Sequence, residues 1–218
     1  MFAAASLKES FTTIGTQFEA AHPGSKVTFN FGASSTLATQ ITQKAPADVF
    51  AAASTKTMDT VVLAGAASGP QTFAVNTMEI ATPPKSTVTI TSVADLAKPG
   101  VKVVVCQKAV PCGVAAAAVF TKNNVTVTPV SEEADVKAVL TKVELGEADA
   151  GIVYVTDVLA AGAKVKGITI PAGVNASTTY PIAPLTAARN PALAAAFVDF
   201  VLGPDGATAL TGAGFQKP

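Results

Sequence analysis

Apolar residues along the chain alternate between two spacings, short runs rich in β-branched and aromatic residues and longer stretches in which they recur every three or four positions. Residues 2–5, Phe-Ala-Ala-Ala, predict a first strand, and Leu7, Phe11, Ile14 and Phe18 then fall at helical spacing until Pro23-Gly24 stops the helix. Residues 26–31 predict a strand, 35–44 a helix carrying Leu37 and Ile41, and 47–51 a third strand. A helix from Ser54 follows, with Met58, Val61 and Val62 on one face, and Gly69-Pro70 opens a region running into 78–84.

A second set of elements begins there. It comprises a helix at 92–97, a strand at 101–105, a helix at 113–122 and a strand at 125–129. Val136, Val139, Leu140 and Val143 then mark the buried face of a helix closed by Gly146, and 150–154 reads as the next strand. After 168–170 and 180–184, Leu193, Phe197 and Val201 define a helix from Pro191, with a short tail helix after Gly203-Pro204. This order predicts an α/β protein built mainly from parallel strands, without a repeat of fixed period.

Charge narrows the function. Fifteen Lys plus Arg balance fifteen Asp plus Glu, so the chain lacks the excess of cations that nucleic acid or an anionic membrane demands. With 49% hydrophobic and 14% charged residues it can fill a core, and no apolar run approaches the ~18 residues of a membrane span. A soluble chain is expected. The single histidine, His22, and two cysteines, Cys106 and Cys112, cannot form the usual four-ligand zinc sites. His22 lies in Ala-Ala-His-Pro-Gly, a helix end before a breaker, and reads as a turn residue rather than a catalytic base. The first residues hold no basic leader, apolar signal core or cleavage box, and Met1 is expected to stand where a leader, and part of the first strand, have been removed.

Three strand-to-helix junctions share one chemistry: residues 3–9 around Ser6, 31–36 around Ser34, and 110–113, Val-Pro-Cys-Gly. Each places small residues where a helix begins, and free N–H groups there hold anions without arginine. Taken alone, Ser6 with Glu9 and Ser92 with Asp95 are capping-box patterns. Taken together, the junctions contain no arginine, and their only charged residues are Lys8 and Glu9. A fully ionised tetrahedral dianion needs only donors, whereas protonated phosphate would also need an acceptor, so the set points to molybdate or sulfate.

Over nearly its whole length the chain resembles the molybdate-binding proteins of bacterial ABC importers. The resemblance is carried by Phe-Ala-Ala-Ala-Ser-Leu at 2–7, Ser-Ser-Thr-Leu-Ala-Thr-Gln-Ile at 34–41, Ala-Pro-Ala-Asp-Val-Phe at 45–50, Val-Pro-Cys-Gly at 110–113, Gly-Ile-Val-Tyr at 151–154, Gly-Pro at 203–204 and Gly-Phe at 214–215. It implies an α/β, two-lobe periplasmic-binding-protein-like fold of the class II type. Residues 1–76 and 182–218 would form one lobe and 77–181 the other, with crossing segments near 73–80 and 178–185 and the ligand in the cleft. It further implies an extracytoplasmic, monomeric carrier that binds molybdate, and tungstate, through neutral donors and delivers it to a membrane permease. Such a carrier has no cofactor, no catalytic residue and no nucleic-acid partner.

Residue by residue, the resemblance makes Ser6 and Ser34 donors through hydroxyl and amide, Cys112 and Val136 donors through the amide, and Tyr154 a donor through its hydroxyl. These would touch the oxygens of molybdate and not coordinate the metal. Cys112 departs from the alanine usual in this turn, and in an exported protein a bridge to Cys106 would stiffen the loop. On periodicity alone Val136 is a core residue, and Tyr154 at a strand end is a packing residue. Three other functions compete. A sulfate-binding protein would share the fold. A serine hydrolase would use Ser34, but Gly32-Ala-Ser34-Ser-Thr36 lacks the second glycine of a nucleophile elbow. An iron carrier would need clustered tyrosines, and Tyr154 and Tyr180 stand apart in the chain.

Overall fold

The computed structural model describes residues 1–218, and in it small side chains set the first sheet. Strands β1 (Phe2–Ala4), β2 (Asn30–Gly32) and β3 (Val49–Ala51) are parallel, with β1 in the middle, paired Ala4 to Gly32 and Ala3 to Ala51. Strand β9 (Ser177–Pro184) adds antiparallel to β3, with Ala51 opposite Ile182. Alternation along the strands divides the core: Phe2 and Phe50 face Leu37, Ile41, Met58 and Val61, whereas Ala3, Val49 and Ala51 face Leu7, Phe11, Ile14 and Phe18. The helices supplying those residues are α1 (Lys8–Ala21), α2 (Ser34–Thr42) and α3 (Thr55–Leu63), and the C-terminal α7 (Pro191–Leu202) and α8 (Pro204–Gly212) complete the layer beside α1.

These elements form one compact unit, Met1–Val75 with Thr179–Pro218; Asn76–Thr178 form a second. The chain passes between them in β4 (Gln71–Thr82) and in β9. Thr179, Tyr180 and Pro181 belong to the first unit rather than the second lobe expected for them. The reason is Tyr180, whose fully buried ring meets Phe73 and Phe215 edge-on at centroid distances of 6.2 and 5.3 Å.

In the second unit β5 (Val103–Cys106) lies parallel to both β6 (Ser131–Glu133) and β7 (Ala150–Tyr154). Strand β4 runs antiparallel to β7 and to β8 (Lys166–Thr169). Helices α4 (Pro111–Lys122), α5 (Val136–Glu144) and α6 (Val155–Ala161) each follow one of the three parallel strands. Val136, Val139, Leu140 and Val143 are all buried, as their spacing predicts.

Three expected elements differ. Residues 125–129 form no strand, because the ladder to β5 begins only where Val130 N–H donates to the Val103 carbonyl at 2.8 Å. Residues 26–29 join no ladder, and Val27 N–H donates to the Glu19 carboxylate at 2.7 Å instead. Residues 93–97 wind as a 3-10 rather than an α-helix, fastened where Asp95 accepts the N–H groups of Thr91 and Ser92. Lys98 beside it, and then the bonds from Thr91 and Ser92, hold the Asp95 carboxyl well below the usual carboxylate range.

Candidate functional site

Ser6 and Ser34 each stand two residues beyond a register pair, Ala4 with Gly32, so both leave the carboxyl ends of neighbouring parallel strands. Open α/β sheets bind ligands at such ends. Both serines are buried, at 4% and 1% exposure, although each carries a polar hydroxyl. Ser34 is the first residue of α2, where N–H groups have no partner within the helix. Its Oγ accepts the Ala53 N–H at 2.9 Å, which leaves the hydroxyl proton for another acceptor. Ser6 does not cap α1: it sits in a 3-10 turn, Ala5–Leu7, with its Oγ 2.9 Å from the Tyr180 hydroxyl.

The second unit repeats the placement with other groups. Cys112 and Val136 follow β5 and β6, and Tyr154 ends β7; the three strands are parallel, with β5 paired to both others. Cys112 is the second residue of α4 behind Pro111, and its Sγ is bonded to that of Cys106 at the end of β5. The loop between them is pinned as well, since Gln107 N–H donates to the Glu133 carbonyl at 2.8 Å. Gly113 is required here: a Cβ on it would lie 2.0 Å from the Gln107 carbonyl oxygen. Val136 is the first residue of α5. The Asp135 carboxylate accepts the next two amides, Lys137 at 2.9 Å and Ala138 at 3.1 Å, so the cap leaves the Val136 N–H outside its reach.

Tyr154 is fully buried at the start of α6, and its N–H donates to Asp157 Oδ2 at 3.1 Å. Asp157 has no exposed surface, and its other oxygen pairs with Lys137 Nζ at 2.9 Å. This pair ties the start of α5, beside Val136, to the start of α6, beside Tyr154. Asp135, Lys137 and Asp157 sum to 1 − 2, a formal charge of −1. This cluster therefore offers an anion no excess of cations, only oriented N–H and O–H dipoles.

Each unit thus gathers its sequence-predicted residues at one end of its sheet. Sequence reasoning missed their supports, Tyr180, Ala53, Asp157 and Lys137. His22 lies at the far end of α1, about 21 Å of helix from the Ser6 end, stacked on Phe18 at 4.1 Å. It cannot serve Ser6 as a base. A cavity of about 470 Å³ in the first unit opens near Met1, Phe29, Asn30, Asp48 and Phe197. It lies at the amino ends of β1–β3, opposite Ser6 and Ser34, and is no part of their site.

A model of the bacterial extracellular solute-binding protein family matches residues 1–216, and the chain belongs to that family. It is 48% identical over 219 residues to the molybdate-binding protein ModA of Mycobacterium tuberculosis H37Rv, covering 100% of this chain and 84% of that protein. The periplasmic molybdate-binding protein of Azotobacter vinelandii superposes with a TM-score of 0.88 at 21% identity, covering 100% of this chain and 98% of that one. The sulfate-binding protein SubI of M. tuberculosis H37Rv gives 0.85 at 17% identity, covering 99% and 85%. At those identities the structures establish the fold, which is α/β and periplasmic-binding-protein-like.

Proposed function

We propose that this chain is the extracytoplasmic solute-binding component of an ABC importer, capturing molybdate, and tungstate, for delivery to a membrane permease. One oxyanion takes hydrogen bonds from the hydroxyl and amide of Ser6 and of Ser34, from the amides of Cys112 and Val136, and from the Tyr154 hydroxyl. The observation that carries this reading is the pair of neutral donor sets at the carboxyl ends of parallel strands, in a chain 48% identical to a protein named for molybdate binding. Each donor meets an oxygen that shares the charge of a dianion, and hydrogen bonds to charged groups contribute roughly 1.5–3 kcal/mol apiece. No side chain needs to change protonation, and no bond is made or broken in the ligand. The protein binds; it does not catalyse.

A fully ionised dianion satisfies a donor-only site, whereas protonated phosphate would bring a hydroxyl with no acceptor to meet. Molybdate, tungstate and sulfate have the same charge and donor needs, so cavity size separates them. Calorimetric titration with molybdate, tungstate, sulfate and phosphate at one pH and salt tests this. Tight binding of the first two alone is expected. Tight binding of sulfate would keep the site and change the substrate, and silence with all four would end the reading.

A further inference from the structure

Tyr180 has a hydroxyl where a phenylalanine would pack equally well. Its ring is fully buried between Phe73 and Phe215, and the backbone beside it is fixed by the Ala52 N–H, which donates to the Pro181 carbonyl at 2.9 Å. Tyr180 Oη meets Ser6 Oγ at 2.9 Å, a buried contact that joins residues 174 apart in the chain. Two hydroxyls in contact share one bridging proton, and the direction decides what Ser6 offers. A phenol, with an ordinary pKa of about 10, is a far stronger acid than an alcohol and the better donor of the pair.

We propose that Tyr180 is a positioning residue for oxyanion capture, its phenol donating to Ser6 Oγ so that the serine's own proton is committed to the ligand. This deepens the functional reading above and rests on it. Once the dianion is bound, proton donation runs from Tyr180 to Ser6 to the oxyanion, and each bond polarises the next. Without the phenol, the Ser6 hydroxyl is free to turn to backbone carbonyls of its own turn, a competition open to any serine at a helix start.

The test is a double-mutant cycle of the full chain with sodium molybdate, using the wild type, Tyr180→Phe, Ser6→Ala and both together. Affinity is measured by calorimetry, and ligand-free unfolding is followed by circular dichroism. Tyr180→Phe is expected to weaken molybdate binding about tenfold, the size of one modest hydrogen bond, while the ligand-free protein unfolds at nearly the wild-type temperature. In the Ser6→Ala background the same change is expected to cost less than about twofold, because nothing remains to be oriented. A purely structural tyrosine would instead lower the unfolding temperature and act equally in both backgrounds. Wild-type affinity in Tyr180→Phe, or an equal loss with and without Ser6, overturns the inference and leaves the functional reading intact. Absence of molybdate binding by the wild type overturns both.

Discussion

In the first unit the proposed donors include two side-chain hydroxyls beside their own amides, Ser6 and Ser34, each hydroxyl held by a hydrogen bond to a distant partner. In the second unit two of the three are backbone amides, at Cys112 and Val136, fixed by a disulfide, an acidic cap and a buried ion pair. A hydroxyl donor depends on the identity of its own residue. An amide donor depends on the course of the chain, and its residue can vary as long as the scaffold around it does not. That difference would allow a cysteine at 112, where the resemblance leads one to expect alanine.

The comparison can be broken most directly by removing side chains from both kinds of donor. Ser6→Ala with Ser34→Ala is expected to weaken molybdate binding on the order of a thousandfold, two charge-assisted bonds being lost. Cys106→Ala with Cys112→Ala keeps both amides and is expected to weaken it less than about tenfold. Equal losses in a calorimetric titration would abolish the distinction. The scaffold behind the amides can be struck separately. Gly113→Ala forces a Cβ onto the Gln107 carbonyl and is expected to destabilise by about 1–3 kcal/mol. The thermal midpoint should fall by roughly 2–4 °C per kcal/mol, whereas exposed Val114→Ala should shift it little. A Gly113→Ala midpoint no lower than that of Val114→Ala would show that the loop yields easily.

The smallest expected effect concerns charge in the second unit. Burial raises the pKa of Glu79, whose carboxylate packs over Gly167 in β8. A carboxyl with a raised folded pKa destabilises the fold once it ionises, fully above the folded value and not at all below the unfolded one. Glu79→Gln is therefore expected to stabilise the protein at neutral pH by roughly 0.5 kcal/mol or less, given its partial exposure to screening solvent. Toward pH 4 the gain should vanish. Denaturant midpoints at the two pH values check the sign, and a gain that grew on acidification would contradict it.

Much of the fold was legible because helices advertise their buried face locally. Val136, Val139, Leu140 and Val143, or Leu7, Phe11, Ile14 and Phe18, need only their own spacing to be read. Strands were less legible, since a ladder requires a partner: 125–129 has β-branched residues, yet the pairing with β5 starts beyond it. The site divides along the same line. Ser6 and Ser34 stood out as hydroxyls at helix starts. The amide of Val136 has no side-chain signature at all, and periodicity correctly describes the residue as core. Tyr180 and Asp157 were invisible in their roles, because what they hold lies in other elements, 174 residues away for the Ser6 contact.

The parallel pairing of Ala4 with Gly32 has one more consequence, for folding. Ser6 and Ser34 leave neighbouring strand ends at the same level because each lies two residues beyond that pair. Sliding β1 by a single residue against β2 would send alternate side chains to the opposite face of the sheet. Apolar contacts would survive such an error in part, since both faces of this sheet pack against apolar side chains. The matched placement of the two serines would not. On the proposed reading, capture of an anion by this unit would report on strand register, and a chain collapsed in the wrong alignment would be compact and yet blind to its ligand.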